Sequence, residues 1–296
     1  MGRLDRFNGL SCKGGVGKLG GVSNFSGVPG ISGIPSEFGG TPGYGGVGAH
    51  DCGLLPAHLR DARLTAWWKG ESLIALPDGS QVSNWPDSTG NNYYAEQVLT
   101  RRPILTLNGL NGHPILTFDA NDWFYHYCYV EPTAIFAVAR APDRGRQQAI
   151  ISVTGNTTGT EQVYNFGYGR GGGGGPTRHQ WWRFPDNQTV TTQCESDQVP
   201  DGNWFTQRGT HVGNIFELYV NGLLEETVTN AIALQNILTG PAGRIGEALI
   251  NSAEAFFWQG DIAEIMLYSG PNLLTALEVL EVEAYLNAKY NLNVPP

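Results

Sequence analysis

From Leu64 to Tyr268 the sequence is built of short runs of β-branched and aromatic residues that are separated by turn-forming residues. Runs of this kind are typical of β-strands, and their close spacing is typical of two packed sheets. The strand-like runs are 64–68, 104–107, 115–118, 134–139, 149–153, 162–168, 179–184, 204–208, 215–220 and 261–268. This pattern of short, closely spaced runs predicts an all-β fold of the sandwich type.

Two local signals add detail to that fold. Asn221-Gly222 directly follows the run 215–220 and is the strongest hairpin signal in the chain, because both positions tolerate a positive φ. Alternation places the apolar residues of that run on its inward side. Leucines, alanines and a tyrosine between Leu273 and Tyr290 recur at helical spacing, which predicts one C-terminal helix.

The first 60 residues form a different kind of segment, rich in glycine and interrupted by proline. Such a segment buries too little side chain to offset its ordering entropy alone. It is either a flexible linker or an arm that becomes ordered against a partner, and the apolar residues spaced through it favour the arm. The predicted partner-binding residues are Phe25, Ile31, Ile34, Phe38 and Tyr44. We therefore predict an extended anchoring arm over residues 1–60 and a compact domain over residues 61–296.

Charge and motifs exclude several function classes. A net charge of -9 without a basic cluster disfavours nucleic acid. Met1–Gly21 contains no apolar run of the secretory type and no stretch long enough to span a bilayer occurs, so we expect cytoplasmic synthesis and no membrane partner. Lys13–Lys18 resembles a phosphate-binding loop, but neither a hydroxyl residue nor a helix follows Lys18. We expect no cofactor.

Three parts of the chain carry a resemblance to a known family: 64–68 with 82–90 and 111–119, the hairpin 218–222, and 243–246 with 260–268 and 283–290. They resemble the laminin-G-like, concanavalin-A-like jelly-roll family in the form found in phage and bacterial surface proteins. The resemblance implies a two-sheet antiparallel jelly-roll sandwich with a C-terminal helix, over about residues 61–296. It does not imply one activity, because such sandwiches serve as lectins, adhesion modules, hydrolases and structural parts.

Sugar binding requires aromatic faces beside amides, carboxylates or cations. Two stretches offer this combination: a Trp-Trp-Arg sequence after a glycine-rich loop, and an acidic loop with a tryptophan that is also suited to calcium. The predicted ligand-binding residues are Trp181, Trp182, Arg183, Asp119, Asp122 and Trp123. The alternative for both stretches is that tryptophans in a sandwich usually belong to the core.

Catalysis has weaker support in the sequence. A glycosidase needs two carboxylates that converge across the sugar, roughly 5 to 9 Å apart. The Glu-x-Asp-x-x-Glu pattern of glucan-cleaving relatives does not occur in the chain. Asp261 and Glu264, three positions apart on the last strand, are expected to face opposite sides, one in a turn and one on a solvated face. We predict no catalytic residue, no metal site and no enzyme activity.

The combined interpretation is a virion structural protein of a tailed phage, either a capsid decoration protein or a fibre or spike component. The arm would attach it to capsid or tail proteins, and a homo-oligomeric sandwich would display a site for host-surface glycans. The alternative is a bacterial lectin or adhesin in which the arm is only a tether. A third hypothesis is that the protein is a polysaccharide hydrolase.

Overall fold

A computed structural model describes residues 55–97, 100–142, 145–154, 162–170, 177–183, 192–229, 242–250 and 253–292. The predicted partner-binding residues of the arm, Phe25, Ile31, Ile34, Phe38 and Tyr44, lie outside these residues. Among the residues it does describe, no helix is long and apolar enough to cross a membrane.

The strands that precede the central hairpin are β1 (Leu64–Lys69), β2 (Asn84–Trp85), β3 (Ala95–Glu96), β4 (Ile104–Leu110), β5 (His113–Asp119), β6 (Phe124–His126), β7 (Ala134–Arg140), β8 (Gln148–Thr154), β9 (Gln162–Arg170), β10 (Thr177–Arg183) and β11 (Thr192–Glu195). The later elements are β12 (Phe205–Val212), β13 (Ile215–Val220), β14 (Leu223–Thr229), β15 (Ala242–Ile245), β16 (Ala248–Ile250), β17 (Ala253–Ala255), β18 (Gln259–Tyr268) and helix α1 (Ala276–Tyr290). Short 3-10 helices occupy Ala57–Leu59 and Gly70–Leu73.

These strands form two antiparallel sheets. The first sheet has the order β14-β13-β12-β7-β18-β5-β4, and β1 pairs with the second half of β18. The second sheet has the order β11-β10-β9-β8-β15-β6-β3-β2, while β16 and β17 form a separate hairpin. The structure confirms the predicted sandwich and its C-terminal helix.

Two hydrophobic cores divide the molecule into three layers. The first core fills the space between the two sheets and contains Trp68, Trp85, Phe166, Tyr168, Trp181 and Trp258. The second core lies between the first sheet and helix α1, and contains Leu55, Leu59, Trp67, Tyr268, Leu286 and Tyr290. Leu55 and Leu59 fall within the segment that we assigned to the arm, and the structure packs both into the domain. The outer face of the first sheet is therefore covered, whereas the helix does not reach the second sheet.

The central hairpin forms as its sequence predicts. Phe216, Leu218 and Val220 are buried on one side of β13. Asn221 has φ 52° and Gly222 has φ 74°, the left-handed values that a two-residue turn between twisted strands requires. Burial of alternate residues and the turn geometry thus fix the same register, in which Val220 pairs with Leu223.

The prediction for Asp261 and Glu264 is wrong. The pairing of β18 with β7 shifts between Ile262 and Glu264, so Ala263 is the extra residue of a β-bulge. The bulge turns Ala263 and Glu264 towards the same side of the first sheet, the side that helix α1 covers. Asp261 points to that side as well. Glu264 has a side chain only 1% exposed, beneath helix α1, and is not solvated.

The structure also locates two of the four cysteines. Cys128 and Cys194 are buried free thiols, and burial raises the pKa of each to about 12. Both therefore behave as small apolar groups of the core. Cys12 and Cys52 lie outside the described residues.

Candidate functional site

The outer face of the second sheet carries a group of exposed tyrosines at the pairing of β3 with β6. In this pair Ala95 lies opposite His126, and both are buried in the core. Alternation along each strand then places the neighbours of these two residues on the outer face. Tyr94 and Tyr127 are each 38% exposed, and their ring centroids are 5.4 Å apart. The ring of Tyr129 follows, 6.2 Å from that of Tyr127.

Glu96 supplies a carboxylate beside these rings. The hydroxyl of Tyr127 donates a hydrogen bond to Oε1 of Glu96. This bond raises the pKa of Tyr127 to about 12, so the phenol stays protonated and the ring keeps its orientation. No hydrogen bond from the described part of the chain reaches Oε2 of Glu96. We call Tyr94, Tyr127, Tyr129 and Glu96 the tyrosine surface.

An arginine fixes the residues next to the tyrosine surface. Arg244 pairs in register with Tyr125, which lies opposite Glu96. Its guanidinium lies 3.9 Å from the ring centroid of Trp123 and 4.3 Å from that of Tyr125. It also forms an ion pair of 2.5 Å with Glu247, so its charge is balanced within the site. Stacking and the ion pair together hold Arg244 and the rings of Trp123 and Tyr125 in fixed positions.

Glu96, Tyr125 and Arg244 form a row of paired residues across the strands, and this row continues across the second sheet. Pairing in register leads from Arg244 to Ser152, then to Asn165, Trp182 and Gln193. Ser152 donates a hydrogen bond of 2.7 Å to the carbonyl oxygen of Glu247, which leads into the β16–β17 hairpin beside β8. Asn165 is only 4% exposed, and its Oδ1 has no hydrogen-bond partner among the described residues.

A second amide near this row is also unsatisfied. Gln180 is 2% exposed, and within the described chain neither atom of its side-chain amide has a hydrogen-bond partner. A buried polar group without a partner costs about 1 to 3 kcal/mol, so such groups suit a water molecule or a ligand hydroxyl. The row thus combines aromatic, cationic and amide groups along one face.

The predicted ligand residues of the acidic loop have mixed positions. Asp119 is exposed and accepts a hydrogen bond from the amide of Asn121 at 3.0 Å. Asp122 is 6% exposed and accepts from the amide of Asp119, and burial raises its pKa to about 6. Trp123 is 2% exposed and lies under Arg244. Among the described residues, none of these acids belongs to a cluster of three or more groups able to hold a metal ion.

The three predicted residues on β10 do not form one group. Trp181 is 1% exposed in the first core, where its ring centroid is 3.9 Å from that of Phe216. Trp182 and Arg183 occupy β10 opposite Asn165 and Tyr164, and their side chains fall outside the described part of the structure. The structure brings Trp123 together with Arg244 and Tyr125, and it does not bring Trp123 together with Trp181.

The tyrosine surface is the part of the site that sequence reasoning missed. Tyr125, Tyr127 and Tyr129 are spaced two residues apart, and His126 lies between the first two. His126 and Cys128, two residues apart, are both buried on the inner face. The same alternation puts the three tyrosines on the opposite face, so the signal was present in the sequence.

Comparisons with known proteins agree with this architecture. The family model described as the concanavalin A-like lectin/glucanases superfamily matches residues 133–280. Domain 4 of AbnA, a GH43 extracellular arabinanase from Geobacillus stearothermophilus solved in complex with arabinotriose, is similar in structure. Its TM-score is 0.50 at 14% identity, over 76% of this chain and 98% of that chain.

Two further solved structures are similar. A GH54 α-L-arabinofuranosidase soaked with a cyclic sulfate inhibitor gives a TM-score of 0.50 at 11% identity, over 71% of this chain and 51% of that chain. The CBM40 of the Ruminococcus gnavus IT-sialidase, bound to α2,3-sialyllactose, gives 0.41 at 16% identity, over 52% and 83%. No curated protein matches the sequence. At these identities the likeness of the domain 4 and GH54 structures concerns the fold alone.

Proposed function

The chain belongs to the concanavalin A-like lectin/glucanase superfamily, and on that basis we propose that it binds carbohydrate through the outer face of its second sheet without cleaving it. The observation that carries the proposal is the tyrosine surface. Two half-exposed rings, Tyr94 and Tyr127, offer flat apolar faces to the C–H side of a sugar ring. Glu96 offers a carboxylate oxygen to the hydroxyls beside them. Aromatic platforms with a few placed polar groups are the usual make-up of such sites.

The charges of this face support binding of an uncharged sugar. The guanidinium of Arg244 is already paired with Glu247, so it does not attract an anion strongly. Glu96 is acidic, and the whole chain carries a net charge of -9. An anionic sugar would be repelled by both, whereas a neutral oligosaccharide would not.

The state of the carboxylates supports a role without catalysis. Glycoside hydrolysis needs a pair of carboxyl groups across the sugar, one of them protonated. On the described part of this face Glu247 is held by Arg244, and Glu195 lies 3.5 Å from Arg178. An arginine therefore engages each of these two carboxylates, which leaves neither available as one member of the pair.

Replacing both Tyr94 and Tyr127 with alanine is expected to weaken binding of a neutral oligosaccharide at least about tenfold, because each truncation removes a stacking ring. A glycan array identifies the oligosaccharide, with arabinotriose as the first soluble probe, and calorimetry measures its affinity. Tyr127→Phe is the matched control, since it keeps the ring and removes only the hydroxyl. Equal affinity of the double variant and the wild type would refute the site.

We further propose that the protein is a structural component of a tailed-phage virion, with its glycine-rich first segment as the attachment. The composition of that segment supports this, since it offers spaced apolar residues and little to bury them by itself. Leu55 and Leu59 belong to the domain core, so a cut before them leaves the sandwich whole. A bacterial lectin or adhesin remains the alternative, and it predicts glycan binding with no presence in virions.

Deletion of residues 2–50 is expected to leave the thermal unfolding midpoint of the sandwich unchanged and to abolish its incorporation into particles. Mass spectrometry of purified virions, made with the full-length or the truncated protein, measures the incorporation. Glycan affinity of the truncated protein serves as the control for an intact domain. Incorporation of the truncated protein at the wild-type level would contradict the attachment role.

A further inference from the structure

A polar cavity of about 420 Å³ lies beside the beginning of β1. Its lining residues are Arg60, Asp61, Ala62, Leu64, Trp67, Ser88, Thr89 and Asn91. Leu64 and Trp67 belong to β1 of the first sheet, whereas Ser88, Thr89 and Asn91 lie in the loop between β2 and β3 of the second sheet. The amide of Ser88 donates to the carbonyl of Trp67 at 2.7 Å, so the cavity lies where this loop meets β1. It shares no residue with the site on the second sheet.

The wall of the cavity is rigid. The carboxylate of Asp87 accepts hydrogen bonds from the amides of Trp67 and Thr89, each at 3.0 Å, and from the hydroxyl of Thr89 at 2.6 Å. The side-chain amide of Asn91 donates to the carbonyl of Thr65 at 2.9 Å. These bonds tie the loop to β1, so its polar groups are positioned before any ligand arrives.

Several polar groups of the cavity are available to a ligand. Among the described residues, the guanidinium of Arg60 and the hydroxyl of Ser88 have no hydrogen-bond partner, and neither has the side-chain carbonyl of Asn91. The carboxylate of Asp61 is oriented by Arg63, with bonds of 2.8 Å and 3.1 Å, and retains lone pairs for a further donor. The cavity therefore offers both donors and acceptors.

We propose that this cavity is a second carbohydrate site, which takes a single neutral sugar residue. A sugar has many hydroxyls that each donate and accept, which matches the mixed polar lining. The carboxylates of Asp61 and Asp87 offset the charge of Arg60, so an anionic ligand is disfavoured. This site shares no lining residue with the tyrosine surface, although its loop leads to Tyr94, three residues after Asn91.

The test is a titration of the full chain, followed by amide resonances, with glucose, galactose, arabinose and N-acetylglucosamine at millimolar concentrations. At least one sugar is expected to shift the amides of Ser88 and Thr89. In the Arg60→Ala, Ser88→Ala variant the affinity read from Thr89 should fall at least about tenfold, because one charge-assisted and one neutral hydrogen bond are lost. Arg146→Ala, which removes another exposed arginine near the far end of β18, is the control and should bind normally.

The outcomes separate the two sites. Shifts at Ser88 and Thr89 that persist when Tyr94 and Tyr127 are replaced by alanine support the cavity site even if the tyrosine surface binds nothing. Shifts confined to Tyr94, Glu96 and neighbouring amides would overturn the cavity site and leave the tyrosine surface intact. Shifts at the cavity that survive the Arg60→Ala, Ser88→Ala variant unchanged would also overturn it.

Discussion

Glu264→Leu is expected to lower the free energy of unfolding by about 3 to 5 kcal/mol, because it removes one partner of a buried ion pair. Glu264 accepts hydrogen bonds from the indole of Trp67 at 2.5 Å and from the hydroxyls of Tyr285 at 2.9 Å and Tyr290 at 2.7 Å. The amine of Lys289 lies 2.7 Å from Oε2, the oxygen that also accepts from Tyr290, and 2.8 Å from the less buried Glu71. Burial raises the pKa of both tyrosines, so they remain protonated donors. Leucine would leave all four donors without this acceptor.

Urea denaturation followed by tryptophan fluorescence measures this effect. The control is Glu281→Ala on helix α1, the helix that also carries Tyr285, Lys289 and Tyr290. The carboxylate of Glu281 is 2.7 Å from the exposed His58, and its removal should cost less than about 1 kcal/mol. Adding Lys289→Met to Glu264→Leu should recover part of the loss, since the buried amine is removed together with its buried carboxylate and Glu71 keeps His113 at 2.9 Å. A loss below about 1 kcal/mol for Glu264→Leu would show that the network does not stabilise the fold.

Trp181→Ala is expected to destabilise the protein by about 3 to 5 kcal/mol, since it deletes a large side chain from a close-packed core. The Trp181 ring contacts Phe216 at a centroid distance of 3.9 Å, and Phe166 meets it edge-on at 6.1 Å. It also lies directly over Gly209, where an added Cβ would come within 2.1 Å of the ring. Only a glycine at this position of β12 leaves room for the indole.

Thermal or urea unfolding checks this prediction, and calorimetry at a temperature where the variant is folded checks its binding. Affinity for the array-selected glycan should be unchanged, because the indole does not reach the surface. Trp182→Ala alone is therefore the informative test of the sugar-binding role predicted for β10. A stable Trp181→Ala variant that has lost its glycan affinity would contradict the core assignment.

The longer strands could be predicted from the sequence because their burial follows a regular period. For β13 the predicted and observed limits coincide at Ile215 and Val220. Strands β2, β3 and β6 have only two or three residues each, too few to stand out as strands, although the tyrosines at 125, 127 and 129 alternate. These short strands carry the tyrosine surface, so most of the candidate site was missed with them.

Two errors of side-chain placement have separate physical causes. The β-bulge at Ala263 changes the phase of β18 by one residue, and no residue type in the sequence marks it. Glu264 was therefore assigned to solvent, although it is the most buried acid beneath helix α1. Trp181 and Trp182 are adjacent, and composition does not tell which of two neighbours on a strand faces the core. The packing of Trp181 against Gly209 and Phe216 decides that question.

Leu55 and Leu59 pack beneath helix α1. We call the helix side of the first sheet the back of the domain, and the outer face of the second sheet its front. Leu55, the first residue that the structure describes, lies at the back, on the helix side of the first sheet. The tyrosines belong to the front, with the full thickness of both sheets between. A sandwich held at its Leu55 end would thus turn its aromatic side away from its support and towards the surroundings.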